Sequence, residues 1–346
     1  MKRPSTSLRM TIGLDRRLTR QMSVGMKRYA IELAERLPRV APEFEYVMFD
    51  QGGNFSVAEQ IALPRAMRKA RIDVAHFLSL YAPMLAPRPY IVTIHDLIHL
   101  RFPQFFKPKV GPYYRTAVRY MARRAARVIT DDERTVHDLE HFLKVDRSRV
   151  RVIPLGVEDR FLGNAMPRAS ARPYFLYVGN HRAHKDLNTL FEAWGGLPAR
   201  HGFDLLLTGH NDLETSLISL QRPSRRIVFL GDVEAKDLPS LYAGAIALVH
   251  PSLREGFGLT MIEAMASRTA VIACEDAAPG VLEGAMLTFP PRDAAAMRTR
   301  MEWLIEDEGL RTALVNEGRA RAEGLTWDRC ARATADVYRE VLEELA

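Results

Sequence analysis

The chain is predicted to fold as two doubly wound α/β domains in tandem, and three observations lead there. At 346 residues it is longer than one hydrophobic core usually organises, so two domains of roughly 150 residues each are expected. Short, nearly continuous apolar runs alternate with helical patterns, as strands buried on both faces of a parallel sheet do. The alternation pauses once, in the turn-rich stretches Pro154–Asp159 and Asn164–Pro173, and then resumes.

The first set of strands is Met10–Leu14, Tyr46–Phe49, Val74–Leu78, Tyr90–Ile94, Arg127–Thr130 and Val150–Ile153, with a helix over about Val24–Leu37. The second set is Tyr174–Val178, Asp204–Thr208, Ile227–Leu230, Ala245–Val249, Ala270–Ala273 and Met286–Phe289. Helices between strands make successive βα units. Expected boundaries are a domain over 1–160, a linker over 161–172 and a second domain over 173–326. A C-terminal helix over 327–346 has no strand partner and is expected to pack back on the first domain. In such sheets ligands bind at the carboxyl ends of strands, here facing a cleft between the domains.

Composition excludes several classes. A hydrophobic fraction of 47% and a charged fraction of 26% rule out a wholly disordered or fibrous chain. No run of about 18 apolar residues is present to cross a membrane. The basic start Met1–Arg9 has no apolar run behind it, so a secretory signal is not expected and a cytoplasmic location is. Two distant cysteines, Cys274 and Cys330, argue for a reducing compartment and against a cysteine zinc site.

Charge is unevenly placed. Residues 1–160 hold 29 Lys plus Arg against 17 Asp plus Glu, a balance of +12, and the remainder has −5. A basic first half suits an anionic partner there. Arg115, Arg119, Arg123 and Arg127 recur every four residues after Tyr113 and Tyr114, which on one helix forms a ridge. Two readings stand for it: contact with an anionic membrane surface, with the tyrosines at the interface, or a solvated face of a helix covering a sheet. Nucleic acid is not expected, because no aromatic-and-basic platform is visible.

The strongest chemical signal follows the strand ending at Val249: His250-Pro-Ser-Leu-Arg-Glu-Gly-Phe-Gly-Leu, continuing to Glu263. Gly256 and Gly258 let the chain turn into a helix starting near Leu259, whose exposed N–H groups and dipole suit a phosphate. Glu255 and Glu263 cannot favour a bare diphosphate by charge, so they more naturally accept hydrogen bonds from ribose and hexose hydroxyls. For Glu263 the structural alternative is a buried carboxylate paired with a backbone group. A second strand–loop–helix signal is Tyr174–Leu187, where Arg182 and Lys185 would neutralise a diphosphate.

In the first domain, His95 and Asp96 stand at a strand's carboxyl end, and His76 is read as having a similar placement on the acceptor side. His95 is a candidate proton shuttle or hydroxyl partner. The loop Gln21–Arg28 lacks the three-glycine dinucleotide fingerprint and its downstream acid, which counts against a nicotinamide dehydrogenase. A Walker lysine loop and an Asp-x-Asp metal pair are also missing from the sequence.

The stretch Glu255-Gly-Phe-Gly-Leu to Glu263, with seven residues between the acids, resembles the signature of the GT4 family of retaining glycosyltransferases, which have the GT-B fold. Thr93–Pro103, Val152–Val157 and Tyr177-Val-Gly-Asn to Lys185 are similar to family segments in family order. The resemblance implies that Glu263 binds the donor ribose and Glu255 the transferred sugar. Gly256, Phe257, Gly258 and Leu259 would offer backbone N–H groups, and Lys185 would bind the diphosphate. His95 would sit near the reacting sugar, Gly25 under the donor phosphates, and Val233 beside the nucleobase. Asn180 stands where many members have Arg, with Arg182 as the candidate replacement. Arg268 stands where the family usually has Gly.

The expected activity is a retaining, metal-independent transfer of a hexose from a nucleoside diphosphate sugar to a saccharide or lipid-linked acceptor in cell-surface polysaccharide synthesis. GDP-mannose is the favoured donor, by resemblance only. UDP-glucose, UDP-N-acetylglucosamine or a deoxysugar donor, a UDP-sugar 2-epimerase and a non-catalytic binding protein remain the alternatives. Catalytic candidates are His95, Lys185 and Glu255.

Overall fold

The structure is a computed structural model that describes residues 9–17, 22–50, 57–198, 202–211 and 225–345. It divides into two compact units, Met1–Gly156 with Trp327–Ala346, and Val157–Thr326.

The first unit is built on a six-stranded sheet of β1 (Thr11–Asp15), β2 (Glu45–Phe49), β3 (Val74–Phe77), β4 (Tyr90–Thr93), β5 (Arg127–Thr130) and β6 (Val150–Val152). Their order is β2-β1-β3-β4-β5-β6, all parallel. The second holds β7 (Tyr174–Tyr177), β8 (Asp204–Leu207), β9 (Arg226–Phe229), β10 (Ala247–His250), β11 (Ala270–Cys274) and β12 (Leu287–Phe289). Their order is β12-β11-β10-β7-β8-β9, again parallel. The strands that read as unbroken apolar runs are the central ones, buried along their whole length, while the edge strands β2, β6, β9 and β12 are partly exposed. A strand covered by helices on both faces has no solvent side to give it a polar alternation.

Each order reverses once, between β1 and β3 in the first unit and between β7 and β10 in the second. At such a reversal the loops after neighbouring strands run in opposite directions and leave a crevice. The loop after β7 carries Asn180 to Lys185, and that after β10 carries Pro251 to Gly258.

The C-terminal helix Trp327–Glu343 packs against the helix Val24–Val40 of the first unit. Trp327, Cys330, Ala331, Thr334, Tyr338 and Val341 recur at three- and four-residue spacing on its buried face. Residues 157–173 belong to the second unit, although 161–172 were expected to link the domains. Phe161 is buried edge-on to Tyr242 at 5.9 Å, and the Arg319 guanidinium donates to the carbonyls of Phe161 (3.4 Å) and Leu162 (2.5 Å).

The arginine ridge needs correction. The helical segment ends at Arg124, and Arg127 is instead the first residue of β5. Its guanidinium is 9% exposed and donates to Glu340 at 2.8 Å and to Glu344, both on the C-terminal segment. Tyr114 is buried, not interfacial, and a five-residue wide turn over Tyr114–Val118 breaks the four-residue register. Arg115 and Arg123 stay exposed. Among the described residues no helix is long and apolar enough to cross a membrane.

Arg268 follows the helix Leu259–Ala266 with φ 61°, the left-handed conformation that glycine supplies at helix ends. A side chain there carries a penalty of roughly 1–2 kcal/mol, partly offset by the greater freedom glycine loses on folding. Arg268→Gly is therefore expected to stabilise the chain by up to about 1 kcal/mol in urea unfolding. A loss of stability would mean that the arginine side chain contributes more than its backbone costs.

Candidate active site

In the second unit the site grows from the β7–β10 reversal. Lys185 ends a short turn, Ala183–Lys185, that follows the exposed Asn180 and Arg182. Its ammonium donates to Glu255 Oε1. His250, at the end of β10, brings Nε2 to the same oxygen at 2.9 Å, and its Nδ1 lies 3.4 Å from Thr260 Oγ1. The three side chains are 12%, 14% and 3% exposed for Lys185, Glu255 and His250, so water screens them poorly. Burial alone would raise the Glu255 carboxyl. The Lys185 ammonium and the His250 ring together outweigh it and hold the group well below the usual carboxylate range.

Gly258 sits at φ 85° as the residue capping the helix Leu259–Ala266. A Cβ there would lie 2.2 Å from Met261 Cε, the movable end of a flexible side chain, so the turn rests chiefly on glycine's left-handed freedom. The turn aims the helix start, with its first N–H groups lacking intrahelical partners, out of the carboxyl edge of the sheet. Phe257 is buried as a whole residue. Glu263, in the second turn, accepts from the buried Tyr242 hydroxyl at 3.0 Å. Its partner in the structure is thus a side chain and not only the backbone. Val233 is half-buried in the loop after β9, beyond the paired Gly209 and Gly231.

In the first unit His95 and Asp131 follow β4 and β5 and meet through Nδ1 and Oδ2 at 2.7 Å. Asp96 is spent on its own loop, where Oδ1 accepts from the N–H of Ile98 at 3.1 Å. Gly25 lies in the first turn of the helix Val24–Val40, which Ser23 caps by accepting from the N–H of Met26 at 3.3 Å. Gln21 lies outside the described residues.

His76 is not an acceptor-side residue. It lies inside β3 with no exposed surface, its Nδ1 2.7 Å from the Tyr338 hydroxyl and its Nε2 2.9 Å from Thr93 Oγ1. Both ring nitrogens are used, so it is a satisfied core histidine. Burial, with a smaller push from His95, lowers the ring from 6.5 to about 3. The unfolded chain therefore binds this proton at higher pH than the folded one. The stability tied to the neutral ring is whole above pH 6.5 and falls as the pH drops towards 3. By about pH 4 the loss is on the order of 3 kcal/mol. Urea unfolding from pH 7 to 4 should show a flatter profile for His76→Gln than for the parent chain; equal slopes would discard this account.

Three residues gained roles that the sequence had not suggested: His250, Tyr242 and Asp131. Asp131 was within reach, since it follows β5 as His95 follows β4. His250 and Tyr242 carried no local sign, because their partners are set by the packing of β10 and the helix Leu259–Ala266.

Two family models divide the chain between them. Glycosyltransferase Family 4 matches residues 24–161, and Glycosyl transferases group 1 matches residues 164–321. The chain belongs to the GT4 family of GT-B glycosyltransferases. Among curated relatives, O-antigen chain mannosyltransferase B of Escherichia coli is 24% identical over 91% of this chain and 96% of its own length. O-antigen chain mannosyltransferase RfbU of Salmonella typhimurium is 29% identical over 54% of this chain and 52% of its own. Among solved structures, sucrose-phosphate synthase from Thermosynechococcus elongatus superposes with a TM-score of 0.76 at 21% identity, covering 97% of this chain and all (100%) of that one. WaaG, a glycosyltransferase involved in lipopolysaccharide biosynthesis, gives 0.69 at 15% identity, with 94% and 99% covered. These structures share the GT4 chain's fold.

Proposed function

We propose that this GT4 enzyme transfers mannose from GDP-mannose to a hydroxyl of a saccharide or lipid-linked saccharide, with retention at the sugar carbon and without a metal. The observation that carries the reading is the buried Lys185–Glu255–His250 cluster beside the Gly258 helix start. As the bond from sugar to phosphate breaks, negative charge grows on the departing diphosphate. Lys185, Arg182 and the helix N-terminus receive it in a poorly screened site. Glu255 then exchanges its hold on Lys185 for hydroxyls of the sugar, and Glu263 takes the ribose. Glu255 is engaged by two basic groups, which suits a binding carboxylate better than a nucleophile. A same-face transfer follows, in which a donor phosphate oxygen takes the acceptor proton. His95 acts near the reacting sugar.

The names of the Escherichia coli and Salmonella relatives support mannose as the sugar and O-antigen-like polysaccharide as the product. The basic first half, with Arg115 and Arg123 exposed, suits work at the inner face of the cytoplasmic membrane. A thermal-shift panel of GDP, UDP, ADP and dTDP tests the donor. At about 100 times its Kd a nucleotide adds about 2.7 kcal/mol, which is a rise of roughly 5 °C or more. GDP should give the largest rise, and GDP-mannose with acceptor should then give an α-mannoside. Stabilisation by UDP alone would replace the donor. Release of UDP without acceptor would point to an epimerase, and an unresponsive panel would end the reading.

A further inference from the structure

Asp131 and His95 differ from the buried Asp15–Arg17 pair of the first unit in what they leave unmade. Asp15 and Arg17, also buried, meet through two bonds of 2.7 Å, and Arg17 reaches the Tyr81 carbonyl as well. In the His95–Asp131 pair only one bond forms; Asp131 Oδ1 is buried without a hydrogen-bond partner among the described residues, and His95 Nε2 makes no well-formed hydrogen bond there, the Leu78 carbonyl being the backbone group that acts on the ring. Such groups are rare in folded proteins because each carries its desolvation cost uncompensated. His95 is held from other sides too. Tyr29 lies edge-on to the ring at 4.7 Å, and the Thr135 hydroxyl donates to the His95 carbonyl at 3.4 Å. Its side chain still keeps 10% exposure.

We propose that Asp131 is a positioning residue for His95, holding a proton on Nδ1 so that Nε2 is the end offered to a polar group of the substrate. The inference rests on the reading of His95 as a residue of the transfer site. The chemistry is that of a carboxylate behind an imidazole: the aspartate selects the tautomer, fixes the ring plane and increases the basicity of the far nitrogen. Burial alone would lower the His95 ring. The Asp131 carboxylate more than compensates, with smaller pulls from Asp96 and the Leu78 carbonyl, so the ring keeps its proton above the usual imidazole range. His76, Asp132, Tyr29 and Cys330 are the other titratable groups around the pair.

Selective ¹⁵N labelling of histidine tests the pair without reference to activity. In the parent chain the neutral His95 ring should be the Nδ1–H tautomer, with its titration displaced upward. In Asp131→Asn the midpoint should fall, because burial is then opposed only by the smaller pulls of Asp96 and the Leu78 carbonyl. A mixed tautomer in the parent chain, or an unmoved midpoint in Asp131→Asn, would overturn the proposal. Kinetics then separates positioning from packing. Asp131→Asn should lower kcat roughly 10- to 100-fold, as outer partners of working histidines do, with less than about a twofold change in donor KM. In a His95→Ala background the same substitution should add almost nothing, because its route is gone. Equal losses in both backgrounds would show that Asp131 acts independently of His95. If the parent chain transfers no sugar, the transfer reading fails, while the tautomer and titration still decide the dyad.

Discussion

Lys185→Ala is expected to lower kcat by roughly 100-fold or more, the size of effect seen when one donor to a developing oxyanion is removed. The argument runs from placement. Lys185 sits on the loop after β7 and Glu255 on the loop after β10, at the point where the strand order of the second sheet reverses. The ammonium is 12% exposed, so the charge it offers is little diluted by water. Charge on the leaving diphosphate is larger in the transition state than in the bound donor, so the loss should fall on kcat more than on KM. Lys185→Arg tests geometry as distinct from charge, since a planar fork cannot take the place of a compact ammonium. Steady-state kinetics with saturating donor settles the matter, and turnover within about twofold of the parent would remove Lys185 from the reaction.

Glu255→Ala should be the most damaging substitution for the fold of the second unit as well as for activity. It removes the carboxylate that Lys185 and His250 share and leaves a mostly buried ammonium uncompensated, a change that costs about 3–5 kcal/mol in comparable pairs. The pH dependence has a definite sign. The Glu255 carboxyl is depressed in the folded chain, so its stabilisation is present above the ordinary value of 4.5 and is lost as the pH falls through the folded value. Glu255→Ala should therefore lose most stability near pH 7 and approach the parent chain in acid. Urea unfolding at several pH values measures this, and a deficit that stays constant from pH 7 to 3 would contradict it. Bound donor should raise the parent's stability and not the variant's, because the sugar hydroxyls lose their acceptor.

Much of the architecture was legible in the sequence because it is written at short range. An unbroken apolar run such as Tyr174–Tyr177 marks a strand covered on both faces. The glycine of the turn into the helix Leu259–Ala266 marks a left-handed position, found at φ 85° for Gly258. The same local logic misled at two places. Arginines four apart suggested one ridge, yet the chain leaves the helix before Arg127, and β5 takes that residue under Glu340. A histidine near a strand end suggested a ligand, yet His76 is one residue short of the end and points into the core. Strand length is decided by the sheet, and an error of one residue moves a side chain to the other face.

By itself, the sequence determined the alternation of strands and helices, the two-domain organisation and the loop bearing Glu255. Those properties depend on neighbours a few residues apart, which periodicity and turn chemistry report directly. Only the tertiary structure decided who pairs with whom: Lys185 with Glu255 across 70 residues, His95 with Asp131 across 36, and Arg127 with Glu340 across 213. Parallel strands are joined by crossovers, so residues far apart in the chain meet at one sheet edge. The ion pairs formed there depend on strand order and register, which no local pattern encodes.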